Sequence, residues 1–166
     1  MKSNPIMKMN LLALAAALMV STSARAAENL TDAVEIVRAT YQADRQAFLA
    51  ENLQLTESES AAFWPLYRSY RADIDKLGDG LVKLVLEYAD VYPNVSEKRA
   101  QAMLKQYAAL EQKLASKRAW YVKRAGKVLP AAKALRWAQL ENRMDLGLRL
   151  QLAGVIPLIP AEKSVP

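Results

Sequence analysis

The clearest order in this chain is a run of apolar side chains, Phe63, Tyr67, Tyr70, Ile74, Leu77, Leu81, Leu84 and Tyr88, whose spacings alternate four and three without a break. Such a seam stays on one side of an α-helix and packs it lengthwise on another, as in a coiled coil. It predicts one long helix from Thr56 to about Tyr92 that runs through Gly78-Asp79-Gly80 without losing phase, although each glycine costs about 1 kcal/mol relative to alanine. Thr56 followed by Glu59 predicts a capping box at its start, in which hydroxyl and carboxylate satisfy free backbone N–H groups. Pro65 removes a helical hydrogen bond and predicts a kink, and Pro93-Asn94 ends the helix.

Three further helices are expected around it. Ser96 caps one with the seam Met103, Tyr107, Leu110, Leu114 and Tyr121, interrupted by Lys117. The short Pro93 to Val95 connection makes these two a long antiparallel hairpin, bringing Asp90 near Lys98 and Asp75 near Lys113. An earlier helix, Thr31 to about Leu53, buries Val34, Val37, Tyr41 and Phe48. A later one starts at Pro130, buries Leu135, Trp137, Leu140, Met144, Leu148 and Leu152, and stops at Gly154. No strand alternation is found, so the expected fold is all-α: four helices, a kinked central hairpin, one domain over residues 27–153, and a proline-punctuated tail over 154–166. Two long helices in a short chain bury little alone, and isologous pairing into a homodimer is the expected remedy. The aliphatics of Val155-Ile156-Pro157-Leu158-Ile159 leave the tail either frayed or docked on a groove.

The N-terminus has a different grammar. Lys2 and Lys8 precede the apolar stretch Leu11 to Val20, and Ala24-Arg25-Ala26 has the small-x-small form of a cleavage site. Residues 1–26 read as an export signal cut between Ala26 and Ala27, which places the mature chain in the periplasm. The apolar stretch is shorter than the roughly 20 residues a membrane span needs, so no stable membrane insertion is expected.

Composition narrows the chemistry. The chain has no Cys and no His, which removes disulfides, thiolate nucleophiles, soft metal ligands and the commonest general base. No glycine-rich phosphate loop is present among the five glycines. Outside the cytoplasm, ATP-driven machines and nucleic-acid readers have no substrate. Charge is unevenly distributed: Glu28 to Glu97 balance to −7, whereas Lys98 to Pro166 balance to +10. The two halves should attract, either packing on each other or leaving a basic face open to anionic partners. Catalysis would have to use carboxylate pairs such as Asp75/Asp79 or Glu141/Asp145. Arg71, Lys83 and Arg149 stand four residues from these acids, as on an ordinary solvated helix surface. No catalytic, cofactor or metal residue is assigned.

At Leu55-Thr56-Glu57-Ser58-Glu59 and Leu129-Pro130-Ala131-Ala132-Lys133 the chain resembles the periplasmic LTxxQ-motif family of Spy and CpxP proteins. Glu59 takes the place of the motif's Gln, while Pro130 and Lys133 replace its Thr and Gln in the second copy. The resemblance covers roughly Leu55 to Gln151 and implies a small helical protein forming a curved dimer, with Leu55, Thr56, Glu59, Leu129 and Pro130 in structural roles. It further implies either an ATP-independent chaperone that binds unfolded envelope proteins on a basic and apolar face, or an adaptor that binds one envelope sensor. The family's metal-binding branch uses His and is set aside. Phe63-Trp64-Pro65-Leu66-Tyr67 resembles divergent members and reads as a kinked, packed core or as a binding site. The candidate contact residues are Phe63, Trp64, Tyr67, Lys113, Lys117, Trp120, Arg124 and Trp137.

Overall fold

The computed structural model describes residues 32–36, 39 and 45–161, and among them there is helix and no strand. Residues 1–26, read above as an export signal, the expected cleavage pair Ala26 and Ala27, Val37, Tyr41 and residues 162–166 lie outside the described residues. Five helices are seen among the described residues: α1, described at residues 32–36 and 39; α2, Arg45–Leu53; α3, Glu57–Ala89; α4, Glu97–Val128; and α5, Ala131–Val155.

α3 begins where local chemistry directs it to. Glu59 donates its backbone N–H to the Thr56 hydroxyl while its carboxylate accepts from the Thr56 N–H at 2.8 Å, so both halves of the capping box are present. The helix continues unbroken past Pro65 and both glycines to Ala89, and the turn to Pro93 completes the connection. Gly80 is a point of close approach: a Cβ there would lie 2.9 Å from Leu110 Cδ2. Among the described residues α3 and α4 form the most closely packed helix pair, with α4 and α2 each also against α5. Contacts between α3 and α4 descend one helix as they climb the other, through Glu87 with Arg99, Gly80 with Leu110, and Asp73 with Lys117.

The core is aromatic at one end. Phe63, Tyr67 and Tyr70 of α3 meet Tyr121 of α4 and Trp137 of α5, with ring centroids 5.3 Å apart for Tyr70 and Tyr121 and 5.2 Å for Tyr70 and Trp137. These rings fill the space between α3 and α5, whose backbones do not approach closely. Leu49 and Leu53 of α2 close the cluster.

The buried faces of three helices differ from the expected ones. On α2, Arg45, Leu49 and Leu53 turn inward and Phe48 is exposed. On α4 the expected Leu114 and Tyr121 are buried and Met103 and Leu110 partly buried, with Ala125 buried and Arg118 partly covered beside them, while Tyr107 is exposed. On α5 they are Ala134, Trp137, Leu140 and Glu141, so that Leu135 is 60% exposed. On α5 the small Ala134 holds the interior position and a reading by hydrophobicity chose its neighbour Leu135; on α2 the inward turn of Leu49 displaces its neighbour Phe48. α5 also runs through Gly154 to Val155. Beyond it Tyr88 donates to the Pro157 carbonyl at 2.9 Å, while Leu158 and Ile159 stay exposed.

The two motif-like segments meet. Lys133 Nζ lies 2.6 Å from Glu59 Oε2 and donates to the Gln54 carbonyl, and Arg136 Nε donates to the Asn52 carbonyl at 2.7 Å. The start of α5 thus clamps the α2–α3 turn, where Gln54 takes the left-handed φ of 48°. Leu129 is buried and Leu55 packs against the core. Thr56→Ala should lower stability by about 0.5–2 kcal/mol. Glu59→Gln, which keeps the capping geometry and loses only the charge facing Lys133, should cost less than Thr56→Ala; urea denaturation of both variants checks the order.

Candidate functional site

α4 has an outward stripe one residue out of phase with its buried seam. Lys113, Lys117, Trp120, Arg124 and Lys127 recur at spacings of four and three, and all are exposed. The stripe follows from the helix repeat: if Leu114, Arg118, Tyr121 and Ala125 face inward, the residues immediately before them share one flank. Trp120 sits at its centre with 49% of its surface exposed, an unusual place for so large an apolar ring. Arg124 lies over the ring at 4.6 Å from its centroid, Lys117 approaches at 6.0 Å, and Tyr121 meets it edge to face.

Two grooves between α3 and α4 share Trp120 as a common wall. One, of about 690 Å³, is lined by Asp73, Lys76, Leu77, Lys113 and Lys117; the other, of about 650 Å³, by Pro65, Leu66, Ser69, Arg124 and Lys127. The stripe is held in register by Asp73, which accepts from Lys117 Nζ at 2.8 Å and from the Tyr121 hydroxyl at 2.9 Å. These two bonds hold the Asp73 carboxyl below the ordinary carboxylate range. Arg124 covers the Trp120 ring, and Lys113 and Lys127 are exposed beside it, giving a basic surface with one aromatic ledge.

A second polar assembly lies inside the bundle. Arg45 donates to Glu141 at 2.7 Å and to Asp145 at 3.0 Å; Asp145 also pairs with Arg118 at 2.8 Å, and Arg71 stands 3.6 Å from Glu141 while bonding Asp75. Arg45 and Glu141 are each only 4% exposed. The two ends of that pair feel burial unequally. It pushes the Glu141 carboxyl up against the pull of Arg45 and Arg71, whereas for Arg45 the burial is outweighed by Glu141 and Asp145, which hold it protonated. Beside the network, Ile74, Leu81, Leu148, Leu152 and Ile156, together with Arg45, Arg71 and Asp145, line an open cavity of about 120 Å³.

Of the eight candidate contact residues, Lys113, Lys117, Trp120 and Arg124 come together on the α4 stripe. Phe63, Tyr67 and Trp137 do not: they are buried in the aromatic core and offer no surface to a partner. Trp64 is half-buried against Phe63 and Tyr67. Glu141 and Asp145, read as members of a solvated ladder, are interior ion-pair partners instead. Asp75 is held by Arg71, and Lys117 pairs with Asp73 in the same stretch of α3. Lys127 and Lys76 were missed as groove residues; Lys127 continues the same spacing and was open to discovery, whereas Lys76 is on the neighbouring helix. Among the described residues no helix is long and apolar enough to cross a membrane. No family model matches the chain, and no curated protein or solved structure matches it.

Because the Asp73 pKa is depressed in the fold, the stability this group contributes is present above its unfolded value of about 3.9 and is lost as pH falls through the lower folded value. A carboxyl-detected NMR titration should find Asp73 titrating below the ordinary aspartate range. In Lys117→Ala the midpoint should move up; an unmoved midpoint would show that the pair does not form in solution.

Proposed function

We propose that this chain is an exported, periplasmic, ATP-independent chaperone or envelope-stress protein that binds unfolded clients on the α4 stripe and performs no catalysis. The observation that carries the reading is the half-exposed Trp120 set among Lys113, Lys117 and Arg124. An aromatic ring beside guanidinium and ammonium groups binds apolar segments on its face, while the surrounding cations attract acidic ones. The flanking grooves provide room for an extended segment on either side of the ring. No nucleotide or metal is needed for such binding. The leader at residues 1–26, the resemblance at Leu55–Glu59 and Leu129–Lys133, and the contact between these two segments support the same reading.

In this proposal α3 and α4 act as one antiparallel hairpin, kinked at Pro65, and two chains pair as a homodimer that covers apolar side chains such as Leu104 and Leu150, exposed in the single chain. The domain comprises residues 27–153 and the short end of α5, with the tail beyond.

The test is aggregation of a chemically denatured enzyme, diluted into buffer with the protein at sub-stoichiometric to equimolar ratio. Light scattering should be suppressed at low salt and partly restored at high salt, since exposed charges are screened. The double variant Trp120→Ala, Arg124→Ala should lose most of the suppression with an unchanged melting temperature. No suppression by the unsubstituted protein at any ratio would overturn the proposal. Capture of one stoichiometric envelope protein, in place of many unfolded ones, would identify an adaptor.

A further inference from the structure

The two grooves that meet at Trp120 differ in what they can hold. Cations line both, Lys76, Lys113 and Lys117 in the one of about 690 Å³ and Arg124 and Lys127 in the one of about 650 Å³, so either attracts a carboxylate. Apolar surface separates them. In the first groove Leu77 stands among Asp73, Gln112 and Ser116, and Lys76 and Lys113 are exposed. The second is walled by Ala62, Pro65, Leu66 and Val128, with Pro65 and Val128 open to solvent, and its Arg124 is already engaged over the Trp120 ring. An aliphatic side chain gains from burial against that wall and finds little to cover it in the first groove. A carboxylate does the reverse: beside the apolar wall it loses hydration, whereas among the exposed lysines it keeps water and gains opposite charge.

The distance between the grooves is set by the helices. Lys76 and Pro65 on α3 are eleven positions apart, and so are Lys113 and Arg124 on α4. At a rise of about 1.5 Å per residue that is about 16 Å along either wall. An extended chain advances about 3.3 Å per residue, so about five residues carry it from one groove to the other. Trp120 lines both grooves and is 49% exposed, which places an accessible ring between the two ends of that stretch.

We propose that this site selects extended segments in which an acidic cluster and an aliphatic cluster are separated, centre to centre, by about five residues. The acids lie among Lys76, Lys113 and Lys117, the aliphatics against Pro65, Leu66 and Val128, and the chain crosses Trp120 between them. The inference rests on the chaperone reading and names the client segment that the site takes. Acidic and apolar content without the spacing does not satisfy it.

The experiment is fluorescence anisotropy of dye-labelled peptides of one composition, a glutamate pair and a leucine triplet in a Gly-Ser chain, titrated with the full chain at low salt. One peptide sets the two clusters about five residues apart, another about ten, and a third scatters the same residues evenly. Each is made in both chain directions, and the tighter direction is scored. The five-residue spacing should bind about tenfold tighter than either other arrangement. Replacing its glutamates by Gln, or its leucines by Ser, should each weaken it by about tenfold. In the double variant Lys76→Ala, Lys113→Ala, at an unchanged melting temperature, the Gln replacement should weaken binding by about threefold or less while the Ser replacement keeps its full effect. Direct contact produces that coupling, and a loss of folding does not. Equal binding of the three arrangements, no binding up to about 1 mM, or an undiminished Gln effect in the double variant would each overturn the inference. The aggregation assay tells its failure from that of the chaperone reading: suppressed scattering without preference for the spacing keeps the reading and removes the inference, and no suppression removes both.

Discussion

One buried carboxylate governs the arrangement of the helices. Glu141 lies on α5 one turn beyond Trp137, so the same face brings the largest ring of the core and its only fully enclosed acid among the described residues. Taking a carboxylate and a guanidinium out of water costs several kcal/mol each, and the cost is offset only when the partners are close and complete. Here they come from separate helices: Arg45 from α2 and Arg71 from α3 on Glu141, and Arg118 from α4 on the neighbouring Asp145. The pairs work only if all four helices are in place at once. Apolar packing alone would tolerate small rotations of each helix; a charge network does not, and this is its contribution to a unique packing.

What could be read in the sequence follows from how local each signal was. The α3 seam was visible because every inward position from Phe63 to Tyr70, together with Ile74, is apolar, and the Thr56 cap because its partner is three residues away. The α4 seam was partly obscured by Arg118, which occupies an inward position that looks polar in sequence. The α5 face was misjudged because Ala134 and Glu141 sit inside while Leu135 does not. Size and hydrophobicity are the same for a ring in a core and a ring awaiting a partner, so Phe63, Tyr67 and Trp137 could not be separated from Trp120 before their burial was known. The Lys113, Lys117, Trp120, Arg124 stripe was within reach since helical spacing alone assembles it.

The charge asymmetry of the two halves also resolves into two layers. On the surface the majority charges meet, Glu59 with Lys133, Asp73 with Lys117 and Glu87 with Arg99. Inside, the minority charges meet: Arg45 and Arg71 from the acidic half with Glu141 and Asp145 from the basic half. Four of the scarce charges, Arg45, Arg71, Glu141 and Asp145, are thereby used in the interior. The excess cations of α4 are left facing outward, which is why Trp120 is ringed by basic groups and not by mixed ones.

The Arg45–Glu141 bond joins residues 96 positions apart. Contacts within α3 and α4 are local or bridge a short connection, and such contacts form early because little loop entropy opposes them. A contact spanning most of the bundle waits until the intervening helices have shortened the distance between its ends. α2 contributes nine residues and is fastened by Arg45, Leu49 and Leu53 on one face. Among α2 to α5 it is therefore the element expected to arrive last and, by the same accounting, the one expected to open first as a unit under stress, uncovering the aromatic core from one side.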